Sequence, residues 1–260
     1  GKALYDLAVR RTEPIPVYAE MGSVNPVIIL PGVAKEKTEL TAKQLAGSIT
    51  LGAGQFCTNP GVIVMTNEPQ AGTLLDKLTE ELSTVQPMTM LTQTISKSYL
   101  TGIKHQRSIT GITPLLADPK DRIVPHLIKI KAEDALKNTE ILEEVFGPSS
   151  VAVISESMEE LISFCSTMNG QLTATIIGND EDLKNANELI EVLTSKVGRL
   201  IINGYPTGVE VSPAMVHGGP FPATTDSRST SVGLRAFYRL TRPICYQNFP
   251  ESLLPEELRK

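Results

Sequence analysis

Short apolar runs rich in Val and Ile alternate with amphipathic segments between residues 27 and 203, and this alternation constrains the fold of the 260-residue chain more than any other feature. The apolar runs predict strands at 27–30, 62–65, 123–130, 151–154, 172–177 and 200–202. The amphipathic segments predict helices at 2–10, 38–51, 72–82, 95–107, 157–168 and 180–197. Strands that are separated by helices need crossover connections. We therefore predict an α/β fold with a mostly parallel open sheet flanked by helices.

Two helix ends carry local signals. Ser157, followed three residues later by Glu160, predicts a capping box at the start of one helix. Gly198 follows the last apolar residue of the 180–197 pattern, and glycine commonly ends a helix at that position. We expect the 180–197 segment to be the clearest helix of the chain, with Gly198 as its stop.

The C-terminal part of the chain has a different character. Residues 203–228 are rich in Gly, Pro, Ser and Thr and show no periodicity. A loop of this length inside a domain is usually functional or a linker. A final helix is predicted at 231–240, and the tail at 242–249 has no evident core of its own.

Composition and charge exclude several classes of protein. The chain is 41% hydrophobic and 20% charged, with a net charge of −5, which is typical of a globular protein rather than a disordered one. The acidic balance argues against nucleic acid or an anionic membrane as a partner. We find no apolar run near the ~20 residues of a membrane-spanning helix and no signal peptide at the start. A cytoplasmic location is therefore expected.

Three cysteines are present, at spacings that fit neither a disulfide framework nor a zinc motif, so we expect reduced thiols and no metal site. Cys57 lies in a glycine-rich, polar stretch, where a thiol can act as a nucleophile. A buried structural thiol is the alternative. Cys165 lies on the apolar face of a predicted helix and Cys245 in the tail, and we interpret both as structural.

The glycines around Cys57 do not make a nucleotide fold. The segment 52–57 matches the first two glycines of a dinucleotide fingerprint, but Cys57 replaces the third, and a strand rather than a helix follows. No complete phosphate-binding motif occurs elsewhere in the chain.

Two residues are candidates for the base that a cysteine nucleophile needs. Glu20 follows an apolar stretch, where desolvation would raise the pKa of its carboxyl toward neutrality. A solvated Glu at a strand end is the alternative. His217 is the one histidine in the glycine-rich loop. It leaves a Cys–His hydrolase open as a second interpretation of the chain.

Adjacent carboxylates precede an aromatic residue and a Gly-Pro turn at Glu143-Glu144-Val145-Phe146-Gly147-Pro148. A carboxylate there could hold ribose hydroxyls by paired hydrogen bonds while Phe146 packs on a ring. A capped turn ahead of the strand at Val151 is the alternative.

The order and spacing of these motifs resemble those of the aldehyde dehydrogenase superfamily. The matching segments are 19–26 with Glu20, 54–58 with Cys57 and 144–148. The sequences of residues 203–209 and 217–220 are similar to those of the family branch that oxidises 2-oxoglutarate semialdehyde (2,5-dioxovalerate). The resemblance covers essentially the whole chain, but only the C-terminal half of the family's fold.

This resemblance implies a role for each matched residue. Cys57 attacks the aldehyde to give a thiohemiacetal and then a thioester, and its own N–H is one oxyanion donor. Glu20 activates the water that hydrolyses the thioester. Glu144 holds the nicotinamide ribose of NADP or NAD, and Phe146 lies beside the ring.

The resemblance also implies a division of the chain. Residues 1–26 would end the dinucleotide-binding domain, 27–228 would form the catalytic domain, and 229–260 would form a C-terminal helix and oligomerisation tail. The chain would then be the catalytic half of an enzyme that acts on a small aldehyde, an oxo-acid semialdehyde, as a homo-oligomer. An acyl-phosphate reductase fits less well, because such an enzyme needs no deacylating Glu20. A Cys–His hydrolase and a non-catalytic assembly domain remain as alternatives.

Overall fold

The sheet predicted for the middle of the chain is present in the computed structural model, which describes residues 1–259. Its strands are β1 (Val27–Ile29), β2 (Val62–Thr66), β3 (Thr113–Pro114), β4 (His126–Lys131), β5 (Ser149–Ser155), β6 (Gln171–Ile177) and β7 (Val197–Ile202). Their spatial order is β3-β4-β5-β2-β1-β6-β7. All neighbours pair in parallel except β3 and β4, at one edge. The prediction of an α/β fold with a mostly parallel sheet is confirmed.

Helices cover both faces of this sheet. They are α1 (Lys2–Val9), α2 (Pro31–Glu36), α3 (Thr38–Thr50), α4 (Pro69–Ser83), α5 (Gln93–Gln106), α6 (Ala132–Lys137), α7 (Met158–Thr167), α8 (Asp180–Lys184) and α9 (Asn187–Thr194). Alternate residues of each central strand enter opposite cores. In β2, Val62 and Val64 pack toward α6, α7 and α9, whereas Ile63 and Met65 pack toward α2, α3 and α4. Both faces are therefore apolar, which explains why the strands have continuous apolar sequences.

The predicted helix at 180–197 is wrong as a single element. The chain forms α8 and α9 instead, with a turn at Asn185, whose side chain donates to the carbonyl of Glu181 at 3.0 Å. Gly198 is not a helix stop, because it lies inside β7. A Cβ at Gly198 would lie 2.1 Å from the carbonyl oxygen of Gly218. Gly198 therefore allows a close backbone contact and does not end a helix.

The capping box predicted at Ser157 is only half formed. The Ser157 hydroxyl accepts from the N–H of Glu160 at 3.2 Å, as expected. The Glu160 carboxylate, however, accepts from the N–H of Glu156 rather than that of Ser157. A reciprocal box occurs at α8, between Asn179 and Asp182.

The C-terminal segment departs most from the prediction. In place of a helix at 231–240 there is a single 3-10 turn, Ala236–Leu240. Gly233 has a φ of +97°, which interrupts any helix at that point, and Leu240 is 89% exposed, so no apolar face is buried to stabilise one. Cys245 is exposed, so its interpretation as a structural thiol is wrong, whereas Cys165 is fully buried as expected.

No helix among the described residues is both long enough and apolar enough to cross a bilayer.

A substitution tests the close contact at Gly198. We expect Gly198→Ala to lower the free energy of unfolding by about 1–3 kcal/mol, the usual cost of overpacking, because the backbone at Gly218 must move. The matched control is Gly47→Ala, at an exposed position of α3 where a Cβ meets nothing within 4 Å. That change should raise stability by about 0.5–1 kcal/mol. Urea unfolding of the two variants checks both values, and equal stabilities would contradict the contact.

Candidate active site

The candidate residues gather at the edge of the sheet where the parallel strands begin. Glu20 precedes β1, Cys57 precedes β2, and Glu144 precedes β5. Parallel neighbours start at the same edge, so these three loops meet there. Open α/β sheets ordinarily bind ligands at the opposite edge, beyond the carboxyl ends of the strands. The site therefore depends on loops that lead into strands.

A buried amide joins two of these loops. The side chain of Asn25 donates to the carbonyls of Cys57, at 2.9 Å, and of Asn59, at 3.0 Å. Gln171, the first residue of β6, accepts from the N–H of Val24 at 2.7 Å. Asn25 is only 1% exposed, and buried polar groups must be paired to avoid a desolvation cost. These bonds fix the Cys57 loop relative to the start of β1.

The glycines before Cys57 allow a second close approach. Gly52, Ala53 and Gly54 all have positive φ, at 56°, 57° and 67°. A Cβ on Gly54 would lie 2.5 Å from the carbonyl oxygen of Gly147. The glycine thus lets the Cys57 loop pack against the Gly147-Pro148 turn.

Cys57, His217 and Glu20 form one cluster. The Sγ atom of Cys57 lies 3.2 Å from Nε2 of His217, and the same Nε2 lies 3.1 Å from Oε2 of Glu20. His217 is 4% exposed, Glu20 is exposed as a residue, and Cys57 is intermediate. The thiol and the carboxylate thus converge on one ring nitrogen from the solvent side.

The glycine-rich loop and its continuation hold His217 and Glu20 in place. The N–H of His217 donates to Thr230 Oγ1 at 2.8 Å, and its carbonyl accepts from the N–H of Ser231 at 2.8 Å. The Ser231 hydroxyl contacts Glu20 Oε2 at 3.2 Å. The segment containing Glu20 pairs with Thr224 as an isolated antiparallel bridge. The loop at 203–228, interpreted from sequence as functional or a linker, supplies one of the three side chains.

The electrostatics of Glu20 differ from the prediction. Its carboxyl pKa is lowered rather than raised, because the hydrogen bond from His217 outweighs the desolvation. Hydrogen bonds to Cys57 and Glu20 raise the pKa of His217 to about 9. Between the two pKa values, His217 is a cation and Glu20 an anion. A thiolate, rather than a thiol, is the reactive form of cysteine, and the imidazolium lies where it would stabilise a sulfur anion.

The raised carboxyl pKa belongs to Glu144 instead. Desolvation raises the pKa of Glu144 to about 7, repulsion by Glu20 adds to this, and a hydrogen bond with the backbone of Ser23 opposes it. Part of the Glu144 residue is still exposed, so contact with water limits how far the pKa of its carboxyl rises. Its Oε2 lies close to Gly22, where a Cβ would come within 3.1 Å. Glu144 thus lies on the same side of the site as Glu20.

Glu144 and Phe146 line one small cleft at this edge. Phe146 is 37% exposed, so its ring is available to a ligand. These two residues are the ones in the described chain that could hold a cofactor in the way the sequence predicts. Their roles stay predictions.

The arrangement of the cluster is not that of a relay triad. In such a triad the nucleophile and the orienting carboxylate contact opposite nitrogens of the ring. Here both contact Nε2, and Nδ1 is buried with no hydrogen-bond partner among residues 1–259. The contact between Cys57 and His217 fits the hydrolase interpretation, but the position of Glu20 does not.

Several residues of the site were missed by the sequence analysis. Asn25, Gln171, Thr230 and Ser231 were not considered as site residues. Asn25 carried a usable signal, because an Asn-Pro pair favours a turn, here directly before a buried strand. The contacts of Ser231 carried none, since they depend on how a loop returns to the sheet.

Curated relatives match the entire chain. It is 43% identical over 264 aligned residues to the alpha-ketoglutaric semialdehyde dehydrogenase of Acinetobacter baylyi and 40% identical to alpha-ketoglutaric semialdehyde dehydrogenase 2 of Azospirillum brasilense. Each alignment covers 100% of this chain and 50% of the relative, so the chain spans about half the length of these relatives. No family model matches the chain.

Solved structures show the same fold. The crystal structure of methylmalonate-semialdehyde dehydrogenase from Oceanimonas doudoroffii superposes with a TM-score of 0.70 at 17% identity, covering 93% of this chain and 50% of that one. A 1-pyrroline-5-carboxylate dehydrogenase from Thermus with bound NAD has a similar fold, with a TM-score of 0.62 at 17% identity. So has the glyceraldehyde-3-phosphate dehydrogenase GapN from Methanocaldococcus jannaschii complexed with NADP, with a TM-score of 0.65 at 18% identity. The chain is therefore similar, over its full length, to half of an aldehyde dehydrogenase, and it has the fold of those enzymes.

Proposed function

We propose that the chain is the catalytic half of an NAD(P)-dependent aldehyde dehydrogenase that oxidises an oxo-acid semialdehyde to the carboxylate. One observation carries the proposal: Cys57 Sγ lies 3.2 Å from a cationic His217, which also contacts Glu20, in a chain that is 43% identical to a semialdehyde dehydrogenase. The residues named from sequence as nucleophile and base are in contact with one histidine.

Cys57 is the nucleophile in this proposal. Its thiolate adds to the aldehyde carbon and gives a thiohemiacetal. Conversion of the thiohemiacetal to a thioester requires a hydride acceptor, which is the chemistry that a nicotinamide held by Glu144 and Phe146 would supply. The His217 cation at 3.2 Å stabilises the thiolate before the attack.

Glu20 and His217 act together in hydrolysis of the thioester. The Cys57 hydrogen bond is the largest cause of the raised His217 pKa, and it weakens when the sulfur becomes a neutral thioester. His217 then loses its proton more readily, and the Glu20–His217 pair can accept a proton from the attacking water. Water adds to the thioester carbonyl, and Cys57 leaves as the thiolate.

Glu144 and Phe146 are the proposed contacts to the cofactor, NAD or NADP. The Glu144 carboxyl would hold ribose hydroxyls, and the Phe146 ring would lie beside the nicotinamide. Both residues line the same cleft, on the Glu20 side of the site, which supports this assignment. The similar folds that carry NAD or NADP support the cofactor class.

The names of the relatives support a substrate that carries a carboxylate. Arg199 is the proposed partner of that carboxylate. Burial lowers the pKa of its guanidinium and an electrostatic interaction with Cys57 raises it, so the cation lies within electrostatic range of Cys57. Its guanidinium donates to the carbonyls of Pro206, at 2.9 Å, and Gly208, at 3.2 Å. These bonds hold the cation at the edge of the site.

The division of the chain, the cytoplasmic location and the homo-oligomer are further parts of the proposal. Large apolar side chains of the C-terminal segment are exposed, including Leu240, Ile244 and Leu253. Exposed apolar surface of this kind is typical of an interface, which supports residues 229–260 as an oligomerisation tail.

A Cys–His hydrolase is the second candidate, and the contact of Cys57 with His217 favours it. A hydrolase of this kind would need His217 as its general base. The His217 pKa of about 9 leaves the ring protonated at neutral pH, before acylation. The dehydrogenase proposal needs only the cation at that stage.

Thiol reactivity tests the role of Cys57. At pH 7 we expect iodoacetamide to label Cys57 faster than the exposed Cys245, and Cys165 most slowly, because burial raises the Cys165 pKa to about 12. The His217 cation persists below pH 9, so the lead of Cys57 over Cys245 should narrow as the pH rises through about 9. Mass-spectrometric mapping of a timed reaction measures all three rates. His217→Ala should remove the lead, and a Cys57 slower than Cys245 in the unaltered chain would oppose the proposal.

Ester hydrolysis by the chain alone separates the roles of Glu20 and His217. An activated aryl ester should give a rapid release of aryl alcohol, as Cys57 is acylated, followed by slow turnover. We expect His217→Ala to slow both phases, because the ring stabilises the thiolate and then shares the proton of the attacking water. Glu20→Gln should slow only the second phase, and a general base typically contributes about 10²–10⁴-fold.

The same samples serve as controls for the dehydrogenase proposal. Cys57→Ala should abolish both phases, and no variant should form NAD(P)H from an aldehyde without the other half of the enzyme. If Glu20→Gln leaves the slow phase intact while His217→Ala abolishes it, the hydrolase interpretation is preferred.

A further inference from the structure

Three potential metal-ligand atoms face one another in the cluster. Cys57 Sγ, His217 Nε2 and Glu20 Oε2 lie within 4.8 Å of one another, with two of the separations at 3.2 and 3.1 Å. A thiolate, an imidazole and a carboxylate form a donor set that suits zinc. The sequence spacing of these residues matches no zinc motif, so only the fold reveals the set.

The two separations at His217 Nε2 are close to those of a tetrahedral zinc site. With bonds of ordinary length, a sulfur and a nitrogen ligand on Zn²⁺ lie about 3.5 Å apart, and a nitrogen and an oxygen ligand about 3.3 Å apart. The two contacts at His217 Nε2 would have to open by only a few tenths of an ångström. Glu20 and Cys57 are not buried, so their side chains can make this adjustment and solvent ions can reach them.

We propose that the Cys57–His217–Glu20 cluster binds one Zn²⁺ ion through these three side chains, with a fourth position open to water. The site is distinct in kind from one for Mg²⁺, which prefers oxygen ligands in octahedral geometry. Neighbouring contacts favour the geometry, because Ser231 holds Glu20 by a hydrogen bond at 3.2 Å. Outer hydrogen bonds of this kind orient metal ligands.

Proton balance is simple at this site. Zinc binds cysteine as the thiolate and histidine through an unprotonated ring nitrogen. Binding therefore releases any proton held by Sγ or Nε2 to solvent. The Nδ1 proton stays, and no new unpartnered donor is created in the buried ring.

Charges around the cluster act in both directions. Glu144 is close enough to interact with Glu20, and its carboxylate form attracts a cation. Arg199 interacts with Cys57 and repels one. The thiolate and the Glu20 carboxylate bind the ion directly, so their contribution exceeds that of either neighbour.

A consequence for activity rests on the proposed function. A thiolate whose electron pair is bound to zinc cannot add to an aldehyde or an ester. Zinc would therefore act as a reversible block of Cys57, released by a chelator.

Direct binding tests the site without any cofactor or second half of the enzyme. Titration of the reduced chain with zinc chloride should show one high-affinity ion per chain, followed calorimetrically, and magnesium chloride should show none. Loss of an outer hydrogen-bonding partner typically weakens metal binding by about 10–100-fold. Cys57→Ser and Glu20→Gln each remove a ligand atom, so each should weaken zinc binding by more than that. Ser231→Ala should fall within that range, and Cys245→Ser should bind as the unaltered chain does.

Thiol protection provides a second measurement. Zinc should slow iodoacetamide labelling of Cys57 at least tenfold, leave Cys245 unchanged, and lose its effect when EDTA is added. Thermal unfolding shows that each variant is folded before its affinity is compared. Unchanged affinity in folded Cys57→Ser, or equal protection of Cys57 and Cys245, would overturn the proposal. If zinc does not bind while Cys57 is still labelled fastest, the metal site fails and the proposed function stands.

Discussion

Two chain segments that enter neighbouring strands meet at the side chain of Asn25. Its amide nitrogen donates to the carbonyls of Cys57 and Asn59, and its oxygen accepts from the hydroxyls of Ser23 and Thr173. Each buried group left unpaired would cost about 1–3 kcal/mol. Asn25 also has a φ of +46°, a conformation that asparagine tolerates better than most residues. The position of Cys57 relative to Glu20 depends on these bonds.

Glu20 and Glu144 show how placement sets the state of a carboxyl group. Both precede strands and lie at the same edge of the sheet, yet their pKa values move in opposite directions. Glu20 accepts a bond from a cation, which stabilises its charge, whereas the Glu144 carboxyl is partly desolvated and has no cationic partner among residues 1–259. A site that needs one carboxylate to bind a histidine cation, and a second, less acidic carboxyl group nearby, can therefore use glutamate for both.

Periodicity predicted every strand of the sheet except the two-residue edge strand β3, because buried parallel strands and amphipathic helices have distinct apolar patterns. It failed at 180–197, where the apolar spacing is helical throughout but Asn185 bonds back to Glu181 and ends α8. It also failed at 231–240, where Leu240 is 89% exposed and therefore contributes no buried apolar face that would stabilise a helix.

The candidate site, like the fold, could be predicted from the sequence only in part. Cys57 and Glu20 could be named as candidates because their motifs are short local patterns, and both contact His217 in the fold, while their roles stay predictions. The proximity of His217 to both could not be found, because it depends on contacts between residues 160 positions apart in the chain. The predicted direction of the Glu20 pKa shift was wrong for the same reason.

The pairing of the Glu20 segment with the loop near Thr225 has a consequence for how the protein folds. The N–H of Ala19 donates to Thr225 Oγ1 across 206 positions of sequence. Contacts of such long range form late, because the entropy of closing the loop is lost before any contact repays it. The sheet can assemble from its crossover units first, while Glu20 and His217 are still apart. A chain that is only partly folded would therefore carry Cys57 without the His217 ring beside it, and the three-residue cluster would be complete only when the last long-range contacts have closed.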